Sequence, residues 1–138
     1  AILMTKLASE AARFFESVEI VELHHPNKVD APSGTSVHTA KAISAARKAA
    51  DMADQPDATE AKFMAARGVN VEGIPIHSVR LRGLVAHQEV IFGDTGETFT
   101  IRHDSFDRAA YMPGVLTGIR GVFENPGVTI GLDKYLGL

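Results

Sequence analysis

Six residues within the stretch 21–40, VELHHPNKVDAPSGTSVHTA, carry groups suited to chemistry on an anion: His24, His25, Lys28, Ser33, Gly34 and Thr35. Imidazole titrates near neutral pH, so it can take or give a proton under ordinary conditions. Lys28, four residues after the first histidine, adds an ammonium that can also release a proton when partly desolvated. A Ser-Gly-Thr turn opening a helix presents unpaired N–H groups and the positive end of the helix dipole, which together hold carboxylate or phosphate. Pro32 stiffens the approach and holds Ala31 extended, while Asp30 can accept hydrogen bonds from the turn. The shared chemistry is an anion site with an acid/base beside it. The plainer alternative for DAPSGT alone is a helix cap, and for either histidine a polar strand end satisfied by backbone carbonyls.

The two histidines close a strand, and adjacent strand side chains point to opposite faces. One can face the anion while the other serves as general acid or base. A metal site is a weaker reading, because adjacent histidines are not the i, i+4 helical pair of the usual zinc signature. It would need His24, His25 and His77 or His87 to converge on one ion.

The elements that must position these groups follow from patterning. VEIVELHH reads as a strand, with Val18, Ile20, Val21 and Leu23 spread over both faces as in a strand buried within a sheet. Thr35 to about Ala50 reads as a helix whose apolar face is Val37, Ala40, Ile43 and Ala46 or Arg47. The opening AILMTKLASEAARFF is helical, with Leu3, Leu7, Ala11 and Phe14 or Phe15 on one face. No capping residue precedes Ile2, so the expectation is a chain that starts inside an element of a longer protein. Residues 51–73 lose periodicity and read as a long surface loop with the reach to cover a site. IPIHSVRLR, AHQEVIFG and ETFTIRH form a meander, with GDTGE as a hairpin turn that offers Gly93 and Gly96 for positive φ. SFDRAAYMPGVLTGIRGVF reads as a helix entered at Ser105 and interrupted at Pro113-Gly114, and NPGVTIGLDKYLGL as a turn and a short apolar tail. The expected fold is α+β: a mixed, mostly antiparallel four-stranded sheet with helices packed on one face.

Composition sets the bounds. The 138 residues, 45% of them hydrophobic, suit one domain with one core. With 14 basic and 17 acidic side chains and a net charge of -3, there is no basic surplus to neutralise a nucleic-acid backbone, and no nucleic-acid partner is expected. The absence of cysteine excludes disulfides and thiolate metal sites and fits a reducing cytoplasm. No apolar run reaches the roughly 18 residues of a membrane span, so no membrane partner is expected.

From Glu22 through Thr35 the sequence closely resembles the E-x-H-H-x-x-K-x-D-A-P-S-G-T signature of the bacterial dihydrodipicolinate (4-hydroxy-tetrahydrodipicolinate) reductases, actinobacterial members above all. The stretch GIPIHSVRLRGLVAHQEVIFGDTGETFTIRHDSFDR is similar to that family's strand hairpin, following strand and helix entry. The resemblance implies NADH- or NADPH-dependent reduction of a cyclic imine dicarboxylate in lysine and diaminopimelate biosynthesis. It implies His24 as proton donor and acceptor, Lys28 as the proton donor completing reduction, His25 as a substrate ligand, and Ser33, Gly34 and Thr35 as holders of a substrate carboxylate. Arg108 is a weaker candidate for support. The family's glycine-rich dinucleotide turn has no counterpart here. The resemblance therefore implies that residues 1–138 are a C-terminal substrate-binding and oligomerisation domain without the Rossmann domain. Such a piece holds no cofactor-binding or metal residues of its own, assembles as a homotetramer through its sheet, and lacks reductase activity alone. A non-catalytic carboxylate-binding module and a His-ligated metal hydrolase are the alternatives left open.

Overall fold

In the computed structural model, which describes residues 1–60, 63 and 66–138, four helices accompany a five-stranded mixed sheet. Helix α1 is Ile2–Ala11, strand β1 Ser17–His24, helix α2 Gly34–Ala49 and strand β2 Val69–Val71. Then come β3 (Ile74–Arg80), β4 (Ala86–Asp94), β5 (Glu97–Ser105), α3 (Met112–Val122) and α4 (Asp133–Leu136). The sheet order is β2-β3-β1-β4-β5, with β1 parallel to β3 and antiparallel to β4. No helix among the described residues is long and apolar enough to cross a membrane.

The α+β class with helices against one sheet face stands, but the sheet has five strands rather than four. The additional strand, β2, is three residues long and gains its order only by pairing with β3, Val69 to Ile76 and Val71 to Ile74. Nor do the later strands form a simple meander. β3 and β4 are consecutive in sequence yet flank β1, so residues 81–85 arch over the C-terminal end of β1, where the Leu81 N–H donates to the His24 carbonyl at 3.1 Å.

β1 is not buried equally on both faces. Val18, Ile20 and Glu22 are fully enclosed, while Glu19, Val21 and Leu23 on the other face are half-buried. The register sets rows across the sheet. Ile76, Ile20, Val90 and Ile101 form an apolar row beneath the helices, and the next row toward the end of β1 is Ser78, Glu22, Gln88 and His103. Ala8, Ala12, Ala40 and Ile43 cover the apolar row. Small residues let both helices lie close to the sheet, which is the reason for the alanine content of α1 and α2.

Helix α1 turns its Met4, Thr5 and Ala8 face inward and leaves Leu3 and Leu7 about half exposed, a face adjacent to the expected one. Thr5 bonds Thr39 of α2 at 2.7 Å, Oγ1 to Oγ1. Arg47, near the α2 C-terminus, is buried and donates to the carbonyls of Phe15 (2.8 Å), Glu16 (2.7 Å) and Ala53 (3.3 Å). In the hairpin only Gly96 has positive φ, at 82°; Gly93 is an ordinary strand residue paired to Ser17 and Thr98. A 3-10 turn, Arg108–Tyr111, stands between β5 and α3 and is capped by Asp107, whose Oδ1 accepts the Ala109 N–H at 2.7 Å. Pro113 falls in the first turn of α3, where its missing N–H costs nothing, so it begins that helix instead of interrupting one. The apolar tail includes the single-turn helix α4, which packs on the glycines of α3.

The long loop does not cover the end of β1 that carries His24. Its described residues dock at the other end, where Gln55 Oε1 accepts the Val18 N–H at 2.8 Å. The reading of 61, 62, 64 and 65 as loop lies outside the described residues.

Candidate active site

The period of a strand puts His24 on the same face as Glu22, two residues earlier, beneath the start of α2. Ser33 caps that helix: its Oγ accepts the Ser36 N–H at 3.2 Å, and the Val37 N–H bonds its carbonyl at 3.0 Å. His24, Ser33 and Thr35 thereby line one open cleft of about 150 Å³, whose opposite wall carries His87, Gln88 and His103. Thr35 is shared with an adjoining cleft that includes Gly34. A Cβ at Gly34 would meet nothing within 4 Å, so the first helical turn is open to an incoming group there.

Glu22 lies fully buried behind His24, and sequence reading assigned it no role. Its Oε2 is 2.5 Å from His24 Nδ1 and accepts from one Arg80 terminal nitrogen at 2.9 Å. Its Oε1 accepts from the other Arg80 nitrogen at 2.7 Å and from the Ser33 N–H at 3.2 Å. Arg80 also donates to the Asp30 carbonyl at 2.7 Å, which ties the loop to β3. Burial opposes ionisation of Glu22, but hydrogen bonds led by Arg80 prevail and hold its carboxyl below the ordinary range. The imidazole of His24 is likewise lowered, chiefly by burial against the opposing pull of Glu22, with Lys28 and Arg80 adding to the lowering. His24 is therefore mostly neutral at pH 7.

Lys28 and His25 do not line the cleft. Lys28 Nζ donates to Asp30 Oδ1 at 2.6 Å, and that pairing, with the N–H of Gly34, lowers the Asp30 carboxyl. His25 follows the end of β1, and its carbonyl accepts the Lys28 N–H at 3.2 Å. Arg108 is exposed, although Tyr111 of the same turn reaches the cleft.

Of the opposite wall, the sequence singles out His87 alone, and only as a candidate metal ligand. His87 is buried, and its Nε2 accepts the Val85 N–H at 3.2 Å, so its proton sits on Nδ1, 2.7 Å from Asp104 Oδ1. Both ring nitrogens are occupied, and pairing with Leu23 and Asp104 sets this ring on the sheet face away from α1 and α2. Gln88 is buried and donates to Thr39 Oγ1 at 3.0 Å, while its Oε1 has no partner among the described residues. His77 pairs with Glu19 at 2.7 Å, on the sheet face away from the helices. The histidines a metal reading requires thus lie apart, and no three His, Asp or Glu side chains among the described residues converge on a metal position.

Glu22 could have been found by parity. A carboxylate two residues from Ile20 and four from Val18 falls on the enclosed face, and an enclosed carboxylate needs donors. No such signal exists for Arg80, which reaches Glu22 only through the β1–β3 pairing.

The sequence profile described as dihydrodipicolinate reductase, C-terminus, matches residues 1–136. The chain belongs to this family. A 4-hydroxy-tetrahydrodipicolinate reductase of Cutibacterium acnes is 63% identical over 138 residues, which are the whole of this chain and 56% of that protein. One from Corynebacterium efficiens is 57% identical over the same span, again 56% of its length. The chain spans about half the length of the relatives it matches. Among solved structures, a dipicolinate-bound dihydrodipicolinate reductase from a Paenisporosarcina species superimposes with a TM-score of 0.83 at 46% identity, covering 96% of this chain and 49% of that one. At this identity the family's dihydrodipicolinate reductase signature, unbroken from Glu22 to Thr35, lies on the strand end, loop and helix start just described.

Proposed function

We propose that the chain is the substrate-binding and oligomerisation domain of a cytoplasmic 4-hydroxy-tetrahydrodipicolinate reductase serving lysine and diaminopimelate biosynthesis. The observation that carries this reading is that His24 and the opening turn of α2, Ser33 and Thr35, line one cleft. Helix N–H groups there suit one carboxylate of a cyclic dicarboxylate, and the dipicolinate named for the Paenisporosarcina relative is such a molecule. Gly34 and Thr35 offer those N–H groups beside the Ser33 cap. His24, neutral and carrying its proton on Nδ1, has Nε2 left to take or give a proton. Lys28 supplies the ammonium that protonates the ring once it turns from Asp30, and His25 holds substrate from the loop.

The dinucleotide does not fit the residues present. The β1-to-α2 turn has a single glycine, and Glu22 already takes the Ser33 N–H, with the Asp30 carboxylate close by. NADH or NADPH, the source of the hydride, is accordingly assigned to the part of the reductase outside this chain.

A homotetramer assembled through the sheet is part of the same reading. It is supported by the face opposite α1 and α2, where half-buried Val21, Leu23 and Ile91 lie beside the Glu89–Arg102–Asp104 ion pairs. Light scattering at micromolar concentration tests it, with a monomer overturning the assembly.

Calorimetric titration with pyridine-2,6-dicarboxylate tests the site. Saturable 1:1 binding is expected, weakened about tenfold in Lys28→Ala through loss of a charge-assisted contact. A folded chain that binds no dicarboxylate at millimolar concentration overturns the reading.

A further inference from the structure

We propose that Glu22, clamped by Arg80, is the positioning residue of the site: it fixes the proton of His24 on Nδ1 and turns Nε2 into the cleft. This rests on the reading above, in which His24 handles the proton. A carboxylate with no exposed surface is costly unless its lone pairs are taken. Here two donors come from Arg80, one from His24 and one from the Ser33 N–H, with the Ser78 hydroxyl beside them. An ionised carboxylate only accepts, so the imidazole nitrogen 2.5 Å from it must be the one bearing hydrogen. The other nitrogen keeps its lone pair and belongs to the part of the ring that lines the cleft.

Arg80 gives the arrangement its direction. Its paired position in the sheet is His24, one strand over, and its guanidinium takes both oxygens of Glu22 end-on, through its two terminal nitrogens. The carboxylate plane is thereby fixed, and so is the direction from which His24 can donate. The same carboxylate accepts from Ser33, the cap of α2, so a single buried group sets the distance between the acid/base and the helix turn. The charged and titratable groups around His24 are Glu22, Arg80, Lys28 and Asp30, together with His87, His103, Tyr111 and the amino group of Ala1 along the cleft. Of these, Glu22 is the acceptor on the ring.

A mere staple for the loop and a positioning residue make different demands. A staple works with glutamine at position 22, which keeps the size and the one oxygen that accepts from Arg80 and the Ser33 N–H. For positioning, glutamine is wrong. Arg80 and the Ser33 N–H both need acceptors and claim the amide oxygen, so the NH2 group faces His24 and converts Nδ1 into an acceptor. The proton then moves to Nε2, and the ring presents a donor where a lone pair stood.

The test is ¹⁵N NMR of the histidine side chains at pH 7.5, with His24 identified by its loss in His24→Asn. The wild-type chain is expected to show the Nδ1–H tautomer, Glu22→Asp to keep it, and Glu22→Gln to show Nε2–H. A wild-type ring protonated on Nε2 overturns the proposal without recourse to any variant, and so does a folded Glu22→Gln chain that retains Nδ1–H. In the complete reductase, Glu22→Gln is expected to lower kcat about a hundredfold with KM within threefold, and an unchanged kcat would overturn it. Dicarboxylate titration of the wild type reports separately on the functional reading. Failure there leaves the tautomer result to decide on Glu22 alone.

Discussion

Glu22 and Arg80, 58 residues apart in sequence, meet through two hydrogen bonds of 2.7 and 2.9 Å across the parallel β1–β3 pair. Glu22 is wholly enclosed and Arg80 only one-fifth exposed, so removing either partner strands the other. Arg80→Met is expected to lower stability by about 3 kcal/mol, because an enclosed carboxylate is left short of donors. Glu22→Gln combined with Arg80→Met should recover part of that loss, since no lone charge remains. Urea unfolding of the three variants checks this, and a double variant as unstable as the sum of the singles would contradict it.

Acid is expected to destabilise the chain in two steps. His24 has its imidazole lowered from 6.5 and Glu22 its carboxyl lowered from 4.5. In each case the folded state binds fewer protons than the unfolded chain between the two values, so stability rises with pH. The His24 contribution is complete above about 6.5 and is lost as pH falls below that. The Glu22 contribution is complete above about 4.5 and is lost as pH falls toward its folded-state value. Urea midpoints between pH 8 and 4 should drop first near pH 6, and His24→Asn should remove that first drop.

Asp30 competes with any carboxylate ligand for Lys28, to which it is bonded at 2.6 Å, and for the first N–H of α2. Asp30→Asn is expected to tighten pyridine-2,6-dicarboxylate binding about three- to fivefold, the scale of an exposed ion pair. The gain should shrink in 0.5 M salt, where such charges are screened. Weaker binding by the variant would show that Asp30 helps to hold the ligand.

Arg47 gathers the carbonyls of Phe15, Glu16 and Ala53 at the end of α2 remote from Ser33. Lysine has three donors but on a single nitrogen, which cannot span the carbonyls that the two terminal nitrogens of Arg47 reach. Arg47→Lys is expected to cost about 2 kcal/mol by leaving enclosed acceptors unsatisfied, with dicarboxylate affinity within twofold of wild type. Thermal unfolding beside calorimetry separates the two effects.

The strands and helices that carry the site were legible because their signals are local. β1 and α2 stand where periodicity puts them, with Ser33 as the cap between. What failed required a partner remote in sequence. Three residues of β2 exist only against β3, and the insertion of β1 between β3 and β4 cannot be read from a five-residue link that resembles a hairpin. The face of α1 was misjudged because Thr5, a polar residue, sits in the core with its hydroxyl on Thr39. Of the site, the motif named His24 and the cap, and parity could have named Glu22. Arg80 and the His87–Asp104 pair depend on strand register.

β1 is bonded on both edges, to β3 and to β4, up to His24. Past it, residues 25–33 hang on the Lys28 N–H to His25 bond and on ties to Glu22 and Arg80. Two kinetic regimes therefore meet at a single peptide bond. His24 ends a strand bonded on both edges and is expected to exchange its amide with the sheet, while His25 and Lys28 lie in a sparsely bonded segment expected to open ahead of it. In the proposed reductase, proton transfer would thus rest on the first regime and the grip on a ligand on the second.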